Sequence, residues 1–196
     1  MPGIFISYRR SDGAGQAGRL YEQLIETFHD GAVFMDVETI EPGLDFVEAI
    51  QRTVASCNVL LAVIGKDWVN ASDASGKRRL SDRRDFVRLE ISAALERGMK
   101  IRVIPLLVGG ATMPSAAELP GALKALARRQ AYEVRDARFR PDVENLVRKL
   151  LPLMPKSTLW RSSKRLQKER NDQPTVVINF VIHVHIGDGS DDDGRG

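Results

Sequence analysis

Glu90 stands inside an apolar run, RRDFVRLEIS over residues 83–92, where Phe86, Val87, Leu89 and Ile91 surround it. Apolar residues at that spacing mark a helix face that packs on something. A carboxylate in such a run is either a solvated position pairing with Arg88 or Arg97, or a group held for chemistry. A second pattern is louder. Gly13, Gly15 and Gly18 spell G-x-G-x-x-G after a β-rich run, with Asp36 and Glu38 at about the expected distance beyond. Cradling a pyrophosphate with that pattern needs the first glycine at a tight strand-to-helix turn. Here the polar stretch RRSD separates Tyr8 from Gly13, and the chain leaves no room for a second catalytic domain, so a hydride-transfer reading is set aside. Thiol and metal chemistry have little to work with. Cys57 is the single cysteine and lies in the apolar stretch VASCNVLLAVIG, as a small buried hydrophobe would. His183 and His185 alternate along a β-prone segment without a third ligand, so no metal is expected.

The elements that must position Glu90 follow from periodicity. Strand-like runs occupy 3–8, 32–36, 58–65, 101–108 and 130–135. Helical patterns occupy 17–29, 44–57, the segment holding Glu90, 118–129 and 140–152. The run NVLLAVIG is apolar throughout, as a strand buried on both faces is. Strands alternating with helices predict an α/β class, a flavodoxin-like doubly wound five-stranded parallel sheet. Such sheets place ligands beyond the carboxyl ends of their strands, near the switch point. Tyr8 to Arg10, Glu38 to Gly43, and Phe86 to Glu90 are then expected to meet in one cleft.

The chain has 196 residues, 43% hydrophobic and 28% charged, with formal net charge +3. That composition supports a buried core and excludes bulk disorder. The start shows no secretory signal, and the longest apolar run, VVINFVIHVHI at 176–186, is about half of what a membrane helix needs. A soluble, cytoplasmic protein without a membrane partner is expected. Composition changes after Pro155, which suggests a domain over 1–153, a basic linker over 154–174, and a β-prone tail with an acidic end over 175–196. The basic stretch 156–170 offers only Trp160 for base stacking, which argues against a nucleic-acid partner.

Three stretches resemble a known family in the right order. IFISYRRSDG resembles the first box of TIR domains, VFMDVETIEPGLDF their second strand and BB loop, and DFVRLEISAAL the helix carrying the glutamate of NAD-cleaving members. The likeness covers residues 3–152 and is strongest to bacterial TIR proteins and to the TIR domain of the animal axon-degeneration NAD hydrolase. It implies that Glu90 is the carboxylate that cleaves the nicotinamide–ribose bond of NAD+, giving ADP-ribose or a cyclic isomer. NAD+ would then be a substrate, and no cofactor is implied. Active members often carry W-x-x-x-E on this helix; Phe86 keeps the aromatic four residues before Glu90 and loses the indole. Phe86 either walls the site or packs in the core. Arg9 and Arg10 match a basic pair at the nucleotide, where guanidiniums suit phosphates or base planes. Glu41 matches a BB-loop carboxylate near the ligand, and Pro42 and Gly43 shape that loop for ligand access and self-association. Tyr8 is expected beneath the site, and Trp68 as a loop anchor. The alternative implied by the family is a non-catalytic adaptor acting through TIR–TIR contacts.

The tail TVVINFVIHVHIGDG alternates strongly, a strand pattern that could stack as cross-β or pair with a sheet edge. Its VHIGDG, with Val184, Ile186 and Gly187, resembles the V-Q-I-G core of RHIM-type signalling motifs, with His185 where glutamine is usual. The expected partners are therefore NAD+, other copies of the chain, and a sensor protein with a matching motif. By analogy the whole resembles a bacterial immune effector that depletes NAD+.

Overall fold

A computed structural model describes residues 3–35 and 45–159. The loop with Glu38, Glu41, Pro42 and Gly43, and the chain from Trp160 onward with Val184, Ile186 and Gly187, lie outside the described residues. Among the described residues, five strands form one sheet: β1 (Ile4–Ser7), β2 (Val33–Met35), β3 (Val59–Ile64), β4 (Arg102–Val108) and β5 (Tyr132–Val134). Their order is β2-β1-β3-β4-β5, and every pairing is parallel. The chain leaves β1 for β2 on one side and returns to β3 on the other. The switch point of this doubly wound sheet therefore lies at the carboxyl end of β1.

Strand alternation divides the core in two. Ile4 and Ile6 of β1, with Val59, Leu61 and Val63 of β3, join one cluster under α1 (Ala14–Ile25) and α4 (Phe139–Leu150). Phe5, with Leu60, Ala62 and Ile64, joins the other, under α2 (Phe46–Ser56) and α3 (Phe86–Glu96). Both central strands are buried on both faces, as the unbroken apolar run of β3 foretold.

Capping sets the helix starts. Asp45 accepts from the backbone nitrogens of Val47 and Glu48 at 2.8 and 3.3 Å and begins α2. Gly13 precedes α1 at φ 110°, a conformation open to glycine, so α1 starts ahead of the expected residue 17. At α4, Arg135 grips Asp142 through its backbone N (3.1 Å), Nε (2.9 Å) and Nη2 (2.8 Å). That guanidinium lowers the Asp142 carboxyl to about 2.

One expectation is corrected. The helix expected over 118–129 is a 3-10 helix, Gly121–Arg128. Its buried residues, Leu123 and Leu126, are three apart, the spacing that stacks on one side of a three-residue turn. Residues 154–159, which composition assigns to the linker, pack on the domain. Met154 and Thr158 are buried, the His29 nitrogen donates to the Thr158 carbonyl at 3.1 Å, and Leu159 bridges to Phe28.

Candidate active site

The buried stripe of α3 is Val87, Glu90, Ile91 and Ala94. These positions fall on one face of a 3.6-residue helix. Glu90 thus occupies a core-facing position and is only 5% exposed, which removes the solvated reading. Arg88, one expected partner, instead directs Nη1 to the carbonyl oxygens of Leu80 and Ser81 at 3.0 and 3.1 Å. The sheet meets Glu90 through Ser7, whose Oγ donates to Glu90 Oε2 at 2.6 Å. Alternation along β1 puts Ser7 on the same face as Phe5, the face that α3 covers. Ser7 ends β1, so the Glu90 carboxylate lies at the carboxyl end of that strand, at the switch point.

Arg9 leaves the sheet on the same side. It is 2% exposed and forms a two-pronged ion pair with Asp85, Nη1 to Oδ2 at 3.0 Å and Nη2 to Oδ1 at 3.1 Å. Asp85 is also the N-cap of α3, accepting from the Arg88 nitrogen at 3.0 Å. Arg79 Nε approaches Asp85 Oδ2 at 3.4 Å. Arg9 therefore faces a carboxylate that holds a helix start, where the sequence suggested a nucleotide contact. Arg9 Nε is buried without a hydrogen-bond partner.

The remaining expected residues divide. Arg10 is exposed just past β1. Phe86 is 49% exposed at the first position of α3, which removes core packing as its role. Tyr8 is half-buried and packs against the cluster under α1 and α4, on the sheet face opposite Glu90. Trp68 is fully buried, in keeping with a loop anchor. Gly15 and Gly18 have open space where a Cβ would go, so they provide none of the close packing that the dinucleotide fingerprint requires. Nearby, Asp12 Oδ1 accepts from the Asp67 nitrogen at 3.2 Å, and a Cβ on Gly65 would strike the Asp12 carboxylate. This latch ties the β1–α1 loop to the exit of β3.

Ser7, Asp85 and Arg79 were not picked out from the sequence. Two of them had a signal. Aspartate directly before a periodic apolar run is an N-cap pattern, and Ser7 is the polar residue that closes an otherwise apolar strand. Burial pushes the Cys57 thiol up to about 11, so it is inert under ordinary conditions. Among the described residues, no group of three or more His, Cys, Asp or Glu is disposed to hold a metal ion. Among them also, no helix is long and apolar enough to cross a membrane.

A family model described as TIR domain matches residues 4–151. The chain belongs to the TIR domain family. Its fold is similar to the TIR domains in the structure of the activated Roq1 resistosome directly recognizing the pathogen effector XopQ. That match has 14% identity and a TM-score of 0.55, over 76% of this chain and 98% of the other. The TIR domain of the Toll-related receptor TRR-2 from Hydra magnipapillata matches at 17% identity and TM-score 0.46, over 76% and 97%. The CMP N-glycosidase BcmB of Clostridium botulinum matches at 13% identity and TM-score 0.43, over 76% and 100%. In this TIR domain, the buried glutamate of α3 and the carboxyl end of the central strand β1 form the candidate site.

Proposed function

We propose that this TIR domain is an NAD+ glycohydrolase in which Glu90 is the catalytic carboxylate. The observation that carries the reading is the burial of Glu90 on the sheet-facing stripe of α3, beside the carboxyl end of β1. The chemistry suits one carboxylate. When the nicotinamide–ribose bond breaks, its electron pair moves to the ring nitrogen and neutralises the pyridinium charge, so the leaving group needs no proton. Positive charge develops over C1′ and the ring oxygen of the ribose. A negative oxygen held there in a partly water-excluded site stabilises that charge as it forms. Water then adds at C1′ and releases a proton, giving ADP-ribose. Capture by an adenine nitrogen gives a cyclic isomer.

Around Glu90, Phe86 offers an exposed ring one turn earlier on α3, and Arg10 an exposed guanidinium suited to phosphate. Glu41, Pro42 and Gly43 belong to the same proposal as the loop that completes the site. The similar Roq1 domains come from an activated resistosome. This supports a reading in which the chain cleaves NAD+ when copies gather, as an immune or cell-death effector, with the β-prone tail raising local concentration.

Nicotinamide release by the wild type and Glu90→Gln, each also fused to a forced oligomeriser, tests the reading. Wild-type turnover that is abolished by the substitution is expected. Equal, non-zero rates overturn the assignment. Silence of the folded, oligomerised wild type moves the chain to the adaptor class.

A further inference from the structure

We infer that Ser7 is a positioning residue for Glu90, one rung of a two-rung mount that fixes α3 against the exit of β1. The inference rests on the catalytic reading of Glu90. Ser7 and Arg9 are two residues apart and reach α3 from the same side of the chain, where they meet Glu90 and Asp85. Moving forward along β1 thus corresponds to moving backward along α3. The spans match: two extended residues advance about 6.6 Å, and the five helical residues from Asp85 to Glu90 rise about 7.5 Å.

The rungs differ in kind. Arg9 and Asp85 form a doubly hydrogen-bonded ion pair buried at 2% side-chain exposure on each partner, and Asp85 also caps the helix. That rung sets the height and rotation of α3. The Ser7 rung acts on the reactive group itself. Its 2.6 Å contact lies in the short range of a hydroxyl donating to a carboxylate. Ser7 is 1% exposed and ends a strand paired on both sides, so its hydroxyl is a fixed point. Anchoring Oε2 there sets the torsion of the carboxyl group and hence the direction of Oε1. A flexible glutamate thereby becomes an oriented negative oxygen, which is what transition-state stabilisation requires.

The test compares kcat and KM of wild type, Ser7→Ala, Ser7→Cys and Ser7→Thr in the full chain under the same forced oligomerisation, with Glu90→Gln as control. The 13Cδ resonance of Glu90 is read in glutamate-labelled protein without substrate. Ser7→Ala is expected to lower kcat roughly 10- to 100-fold, the scale of loss when a reacting group is misplaced by about an ångström, while KM stays within about threefold. Ser7→Cys keeps the volume with a weak donor and should fall alike. Ser7→Thr keeps the hydroxyl and should recover both kcat and the resonance. Wild-type kcat in Ser7→Ala, with Glu90→Gln inactive, overturns the positioning role and leaves the catalytic reading standing. Activity retained in Glu90→Gln overturns the catalytic reading. The rung itself is then judged by the resonance, and no shift in Ser7→Ala and Ser7→Cys overturns it as well.

Discussion

The two faces of the sheet hold their buried carboxylates differently. Under α4, Asp142 is gripped by a residue seven positions away, and its Arg135 partner is half-exposed. The contact closes one local turn between β5 and α4. Under α3, Arg9 reaches Asp85 across 76 residues and Ser7 reaches Glu90 across 83, with all four residues buried. Asp142 takes three donors from one arginine; the donor that β1 gives Glu90 is a neutral hydroxyl. A carboxylate neutralised by a local guanidinium serves structure. Glu90 is instead met at the switch point by a hydroxyl from a central strand. The difference is one of reach: one acid closes a local turn, and the others tie α3 to a central strand far away in the chain.

The largest effect expected from breaking this contrast is on turnover. Glu90→Gln should cost at least about 100-fold in NAD+ cleavage while thermal unfolding stays near wild type. Asp142→Asn should lower the unfolding temperature and spare turnover in the folded protein. If Glu90→Gln unfolds as early as Asp142→Asn does, the contrast fails. Next comes Arg9→Ala, which leaves Asp85 buried with Arg79 as its remaining guanidinium. A loss of about 3 kcal/mol in urea denaturation is expected, the scale for a buried pair stripped of one partner.

A smaller effect lies in acid. Asp142 titrates at about 2 when folded, below its unfolded value near 4. Its contribution to stability is therefore full above about pH 4 and drains away as pH falls toward 2. Urea midpoints from pH 5 to 2 should drop in the wild type and flatten in Asp142→Asn; parallel curves would remove Asp142 from the acid limb. The smallest effect uses Cys57, buried in the cluster under α2 and α3. Thiol labelling at pH 8 should be slow in wild type and Asp142→Asn, and measurably faster in Arg9→Ala, which loosens that face. Equal rates in all three would mean that the ion pair does not hold α3 down.

The parts visible in sequence were those written in local pattern. The unbroken apolar run of β3 and the alternation of strands with helices were enough for the sheet, whereas RRDFVRLEIS left Glu90 open between a solvated and a held position until the TIR resemblance singled it out. The partners of Glu90 and Arg9 were hidden because they come from elements far apart in the chain. The resemblance reads Arg9 and Arg10 as one basic pair, whereas the fold buries the first and exposes the second. Tyr8 is separated from Ser7 in the same way, by the alternation of a single strand. The 3-10 helix was hidden for another reason: GALKALAR satisfies an α-helical pattern and a three-residue turn alike, and packing of Leu123 and Leu126 chooses between them.

Among the described residues, one side of β5 has no strand beside it, which bears on how copies could join. β5 is three residues long, Tyr132–Val134, and β4 already pairs one of its sides. A strand laid along the other side would find a ladder of three residues, too short to register a long β-prone segment or to stop it sliding. Short edges guard sheets against unplanned growth. Among the described residues, β5 is therefore a poor template for a neighbouring chain, a guard written into the length of one strand.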